Sequence, residues 1–330
     1  PPGAPTRGRP QMSSRVVSAD GVTIHVREHL PASPSWSRAR DNSNAVLLAH
    51  ANGFHGSVFE PLIAELCARG YACYALDFRG HGRSGTVNNG RLSWSALTDD
   101  CAAVVTALGL HRCHAFGHSC GGHALLMAEA RRPGTFRSIY AFEPIFVLSS
   151  RDAPGLDVSP DSPLMASTAY MVKSASKRRS RFSSAAEALA AYQSKMPTKA
   201  WHKDALDAYV NNGGFIPAED GDGVRLACST ETEIGIYEAG NAETEAFGQL
   251  KKIACPVVIA KGTSVAPDGR SPIYSAVIAP SLAAAITAGA LIEFPNNSHL
   301  GPMEAPREVA SSASELFTDA SSPSKFPSKL

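Results

Sequence analysis

The chain has 330 residues, 44% of them hydrophobic and 18% charged, enough apolar material for a sizeable core and too little charge for wholesale disorder. Lys plus Arg is 31 and Asp plus Glu is 30, a formal net charge of +1, which does not favour a general nucleic-acid binder. No apolar run approaches the roughly 20 residues that cross a bilayer, and no repeat recurs at solenoid or propeller periods.

Residues 1–13 read as a flexible leader rich in Pro, Gly and Arg, with Met12 a candidate natural start and no apolar h-region of a secretory signal. Residues 22–29 (VTIHVREH) alternate apolar and polar positions as an outer strand would. Residues 45–50 and 71–77 are short apolar runs suited to strands buried on both faces. Between them, residues 57–69 carry apolar side chains at helical spacing, and Gly70 can close that helix. A second amphipathic helix is expected over 94–108, a strand over 112–118, a helix over 120–131 and a strand over 137–142. The rhythm resumes with a strand at 256–261, a helix at 273–285, a strand at 290–294 and a helix at 305–317. Such alternation implies an α/β fold: a mainly parallel sheet with helices on both faces.

The stretch 149–249 breaks this rhythm. It opens on a Pro/Ser/Asp-rich loop and continues with helix-like pieces near 184–194, 203–211 and 231–238. It reads as a helical cap inserted into a core made of residues 14–148 and 250–318. Residues 319–330 form a flexible tail. Seven cysteines, odd in number and without a Cys-x-x-Cys pair, argue against a disulfide framework or zinc ribbon and for apolar thiols in a reducing compartment.

Residues 117–121 read Gly117-His118-Ser119-Cys120-Gly121. A Gly-x-Ser-x-Gly between an expected strand and an expected helix describes a sharp turn that lifts the serine hydroxyl to the carboxyl edge of the sheet. Gly117, Gly121 and Gly122 leave the space such a turn needs. Three further blocks fall at strand ends: His50-Ala51-Asn52-Gly53-Phe54, Asp77 through Ser84 (DFRGHGRS), and Asn297-Ser298-His299-Leu300-Gly301-Pro302.

In these four blocks the chain resembles the α/β-hydrolase family over most of residues 14–318 outside the cap. Its layout is similar to peroxisomal acyl-CoA hydrolases and to lactone hydrolases whose triad acid follows the sixth strand. The resemblance implies a serine hydrolase acting on a carboxylic ester, thioester or lactone, with no metal or organic cofactor. Ser119 is the expected nucleophile, because a serine hydroxyl becomes nucleophilic only beside a base, and His299 is that base. His118 is expected to point elsewhere, and His50, His55 and His81 to be structural or to line the pocket. Two carboxylates compete to orient His299. Glu143 ends an apolar strand 24 residues after Ser119, and an ionisable group there needs a partner. Asp268, in a Pro/Gly turn, is the alternative. The expected oxyanion donors are the backbone N–H groups of Cys120 and Phe54, with the Asn52 side chain as the alternative.

A nucleophilic serine argues against dehalogenase and epoxide-hydrolase chemistry, which use Asp there in this fold. Carbon–carbon hydrolysis, acyl transfer and a slow or non-catalytic ligand receptor share the same residues. In the cap, Lys173, Lys177, Arg178, Arg179 and Arg181 form either an anion-binding group for a substrate phosphate or a solvated face. Trp201 and Tyr192 belong to a pocket wall or to the core. The last three residues, Ser328-Lys329-Leu330, match a peroxisomal import signal, so a peroxisomal location and an import receptor are expected alongside a small acyl substrate.

Overall fold

The computed structural model describes residues 12–32, 42–86, 92–159, 161, 162, 164–263 and 273–320. Residues 1–11, Asp268 and the tripeptide Ser328-Lys329-Leu330 lie outside the described residues.

The first elements are β1 (Met12–Val17), β2 (Thr23–His29) and β3 (Ala45–Ala49), followed by a 3₁₀ turn, α1 (Glu60–Ala68) and β4 (Ala72–Asp77). Gly70, at φ 93°, ends α1: Tyr71 N–H reaches back to Leu66 O and Gly70 N–H to Cys67 O, the glycine-closed stop expected from the residue type. Next come α2 (Trp94–Ala107), capped by the Ser93 side chain, then β5 (Cys113–His118), α3 (Cys120–Arg131) and β6 (Phe136–Phe142). After a long intervening segment the chain adds β10 (Val257–Lys261), α8 (Tyr274–Ala285), β11 (Gly289–Glu293), the short α9 (Gly301–Glu304) and α10 (Pro306–Ala320).

Eight strands form one sheet in the order β1-β2-β4-β3-β5-β6-β10-β11. The pairs β1·β2 and β2·β4 are antiparallel and the rest parallel. Alternate residues of each central strand enter two apolar layers. Leu47, Tyr74, Ala115, Ile139 and Ile259 pack with α2, α3 and α8. Leu48, Ala75, Phe116, Tyr140 and Val258 pack with α1 and α10. Burial on both faces accounts for the unbroken apolar runs.

The expectation of an outer strand at 22–29 is corrected. β2 is second from the edge, between β1 and β4, and its polar positions are buried. His25 lies opposite Asp77 in the register, and Arg27 Nη1 donates to Asp77 Oδ1 at 2.9 Å. The alternation therefore marks two buried faces, one apolar and one ion-paired. The edge strand β1 begins at Met12, inside the stretch read as leader.

The segment between β6 and β10 carries α4 (Ala166–Ser176), β7 (Arg181–Phe182), α5 (Ala185–Gln193), α6 (Lys203–Tyr209), β8 (Phe215–Pro217), β9 (Val224–Leu226) and α7 (Thr230–Gly240). The three strands form a small antiparallel sheet, β7-β9-β8, where only helical pieces were expected. Strands of two or three residues are too short to display a two-residue period. The segment is tied to the core by Trp94 Nε1–H, at the start of α2, to Ile236 O at 2.8 Å and by the His55 ring, in the loop after β3, to Tyr209 O at 3.0 Å. Among the described residues, no helix is long and apolar enough to cross a membrane.

Candidate active site

The turn from β5 to α3 carries Ser119 at φ 58°, ψ −123°, a left-handed conformation that side chains rarely adopt and that persists only where the surroundings enforce it. Its N–H donates to Phe142 O at 3.0 Å, tying the turn to the end of β6. A Cβ on Gly117 would stand 2.5 Å from Gly122 Cα, one on Gly121 would collide with Ala49 O and His50 O, and one on Gly122 would stand 3.0 Å from Pro144 Cβ. Gly117 and Gly121 are thus required by contact, and Gly122 sits at a tight one.

The residue after β6, Glu143, is fully buried and also has a positive φ, 44°. Its N–H donates to Ala260 O at 2.7 Å, which places the side chain at the carboxyl end of β10. There Oε1 accepts from Gly262 N–H at 2.8 Å, and Oε2 accepts from His299 Nδ1 at 2.7 Å. His299 lies in the loop between β11 and α9, with its side chain 26% exposed, so the ring remains reachable from solvent. A carboxylate on Nδ1 requires the proton on that nitrogen and leaves the Nε2 lone pair available as a base. The structure therefore joins Glu143 to His299. The alternative acid, Asp268, lies outside the described residues.

The His118 ring bonds to the main chain of His299. Its Nε2–H donates to the His299 carbonyl at 2.7 Å, and the two rings are 4.9 Å apart. Burial, and then the neighbouring His299 charge, push the His118 pKa well below the ordinary histidine value, so it acts as a neutral donor holding the loop of His299 against the serine turn. Among the described residues no hydrogen bond joins Ser119 Oγ to His299; the contact between the serine turn and the His299 loop is made by His118, which precedes Ser119.

His50, His55 and His81 are buried, and burial lowers their pKa values to about 4, about 4 and about 3. Each is engaged with main chain. His50 accepts from Phe78 N–H at 2.9 Å, His55 bonds Tyr209 O, and His81 accepts from Gly53 N–H at 3.0 Å. They are struts beneath the loops, the structural alternative of the sequence reading.

Of the expected oxyanion donors, the N–H of Cys120 is in the first turn of α3, where a helix offers it no internal acceptor. The other two are occupied. Phe54 N–H donates to Ala51 O at 3.2 Å, and Asn52 Nδ2 donates to Glu233 O at 2.8 Å. The Cys120 thiol is buried and its pKa is raised to about 12 by desolvation, so its sulfur is inert.

The basic group of residues 173–181 does not form one anion-binding face. Arg178 pairs with Glu233 at 2.7 Å, Arg179 with Glu187 at 2.7 Å and Arg181 with Asp220 at 2.7 Å. Arg178 also donates from Nε to Tyr192 Oη at 3.1 Å and from Nη2 to Tyr209 Oη. Trp201 is buried with its ring 5.2 Å from that of Phe54 in an edge contact. All seven cysteines are free, and six of them are buried. Sequence reasoning missed Ser275, whose hydroxyl donates to Glu143 Oε2 at 2.5 Å and lies 3.1 Å from His299 Nδ1. A serine at the start of a helix is common, so no local signal singles it out.

A family model described as the alpha/beta hydrolase family matches residues 46–312. The chain belongs to the alpha/beta hydrolase family. This alpha/beta hydrolase is 30% identical over 142 residues to a 2-(acetamidomethylene)succinate hydrolase of Mesorhizobium japonicum, covering 42% of this chain and 46% of that one. It is 31% identical over 109 residues to a monoacylglycerol lipase of Mycolicibacterium smegmatis, covering 32% and 39%. The alpha/beta hydrolase thus spans less than half the length of these curated relatives. Among solved structures, a peroxisomal alpha-beta-hydrolase from Saccharomyces cerevisiae superposes with a TM-score of 0.72 at 15% identity, over 98% of this chain and 93% of that one. An E-2-(acetamidomethylene)succinate hydrolase superposes with a TM-score of 0.71 at 20% identity, over 94% and 99%. These two likenesses are of fold.

Proposed function

We propose that this alpha/beta hydrolase is a serine hydrolase cleaving a carboxylic ester, thioester or lactone through an acyl-enzyme. The observation that carries the reading is the 2.7 Å bond between Glu143 Oε2 and His299 Nδ1, with Nε2 left free on a ring at the same edge as Ser119. Two of its curated relatives are named as a 2-(acetamidomethylene)succinate hydrolase and a monoacylglycerol lipase, which supports acyl chemistry without choosing a substrate.

In this mechanism His299 Nε2 takes the Ser119 hydroxyl proton as Oγ attacks the carbonyl carbon. Glu143 fixes the tautomer and stabilises the imidazolium. The Cys120 N–H receives the oxyanion, and the Phe54 N–H joins it by sharing its long bond to Ala51 O. The proton on Nε2 passes to the leaving oxygen or sulfur. Water then gives a proton to Nε2 and attacks the acyl-enzyme, and Nε2 passes that proton to Ser119 Oγ as the acyl–Oγ bond breaks and the acid leaves. Residues 149–249 serve as a cap that shapes the acyl pocket around Phe54 and Trp201.

The test is labelling with a fluorophosphonate, mapping of the modified residue by mass spectrometry, and turnover of a p-nitrophenyl ester. Label on Ser119, and turnover abolished in Ser119→Ala, are expected. Label elsewhere, or undiminished turnover in that variant, would overturn the reading.

A further inference from the structure

Ser275 is the second residue of α8 and is 3% exposed. A serine hydroxyl has one proton and two lone pairs. The Glu143 carboxylate has no proton to give, so the 2.5 Å contact requires Ser275 O–H to donate to Glu143 Oε2. Its lone pairs are then left facing His299 Nδ1, 3.1 Å away. The Nδ1–H is shared between Glu143 Oε2 at 2.7 Å and Ser275 Oγ at 3.1 Å, in a closed triangle of three side chains from the ends of β6, α8 and the β11–α9 loop. With Gly262 N–H on Oε1, the buried carboxylate receives three donors.

We infer that Ser275 is a positioning residue for the Glu143–His299 pair, and that position 275 is a second point in the fold from which a carboxylate can serve the same histidine nitrogen. The inference rests on the serine-hydrolase reading for its kinetic consequences but not for the contact itself. Ser275 touches no substrate: it holds the carboxylate oxygen in line with Nδ1 and supplies a second acceptor to the imidazolium as it forms. A side chain that only filled space would not have this effect. A carboxylate at 275 extends from the same Cβ toward Nδ1. Once the Glu143 carboxylate is removed, the His299 Nδ1–H, 3.1 Å from Ser275 Oγ, is left for it to accept.

The experiment compares wild type, Ser275→Ala, Glu143→Ala and the double variant Glu143→Ala/Ser275→Asp, each checked for folding by its melting curve. For Ser275→Ala, kcat should fall about tenfold with KM unchanged, the signature of an interaction made in the transition state. Glu143→Ala should lose about 10³–10⁴-fold, and the added Ser275→Asp should recover at least tenfold of that loss. A kcat within twofold of wild type for Ser275→Ala, together with no recovery in the double variant, would overturn the inference while leaving the hydrolase reading intact. Should wild type turn over no ester or thioester, the contact is read by proton NMR. The low-field His299 Nδ1–H resonance should move in Ser275→Ala, and an unmoved resonance overturns the inference.

Discussion

Arg178 Nη1 donates to Glu233 Oε2 at 2.7 Å, and the pair lies against Gly53, where a Cβ would stand 2.8 Å from Glu233 Oε1 and 3.1 Å from Arg178 Nη1. Gly53 has φ 77°, so it serves both the turn and this close approach. The same helix, α7, accepts the Asn52 amide at Glu233 O. An ion pair in the segment after β6 is thereby fastened to the loop that carries the Phe54 N–H. Removing one partner of a buried pair leaves a charge without compensation, at a cost of about 3 kcal/mol. Glu233→Ala should therefore lower stability by that order in urea unfolding and also reduce ester turnover. The double variant Arg178→Met/Glu233→Met should recover most of the stability. Equal stabilities for all three proteins would show that the pair does not hold the loop.

Gly121 tests the contact between the serine turn and β3. A methyl group there meets two main-chain carbonyls, Ala49 O and His50 O, which cannot swing aside as a flexible side chain can. Gly121→Ala should lower the melting temperature and abolish fluorophosphonate labelling. Gly248→Ala, where nothing lies within 4 Å, should leave both unchanged. Full labelling of the Gly121 variant would mean that α3 can shift without loss of the site.

The buried histidines give stability a pH dependence of defined sign. Burial lowers the pKa values of His50, His55 and His123 to about 4 and of His81 to about 3, against 6.5 when unfolded. Between pH 6.5 and about 4 the unfolded chain binds more protons than the folded one, so stability rises with pH across that window. Melting temperature should be level above pH 7 and fall steadily from pH 6.5 to 4. Burial alone would raise the Asp77 carboxyl, but its hydrogen bond with His25 and the Arg27 charge outweigh that and hold it below the carboxylate range. Its contribution is present above pH 3.8 and is lost only below that. A melting temperature flat from pH 7 to 4.5 would contradict neutral burial of these rings.

The two candidate acids are separated by substitution. Glu143→Gln should reduce ester turnover by about 10³–10⁴-fold, since an amide cannot stabilise the imidazolium, while Asp268→Asn should stay within a few-fold of wild type. The reverse ranking would move the acid to the β10–α8 connection.

Much of this site is legible before folding is considered. Residues 94–108 read as a helix and form α2 over Trp94–Ala107; residues 112–118 read as a strand and form β5 over Cys113–His118. The first carries a helical period and the second is a short run bounded by turn residues, and both are local properties of the chain. Glu143 was singled out as an ionisable group ending an apolar strand, a local conflict that only a partner resolves, and His299 Nδ1 is bonded to it. The β2 reading went astray because alternation reports two unlike faces without saying that one of them buries Asp77 with Arg27. Nothing in the order of residues 50–54 reveals the long bond from Phe54 N–H back to Ala51 O.

Residue order alone was enough to specify the alternation of buried strands and amphipathic helices, and the small residues around Ser119, because spacing and side-chain volume act between near neighbours. Folding in three dimensions decided which carboxylate meets His299, that Ser275 completes a triangle with them, and that Arg178 faces Glu233 instead of solvent. Those contacts join residues 156, 24 and 55 positions apart. No local period links such distant positions: Glu143, Ser275 and His299 meet because β6, β10 and β11 are neighbours in one sheet, and Arg178 meets Glu233 because α4 packs against α7.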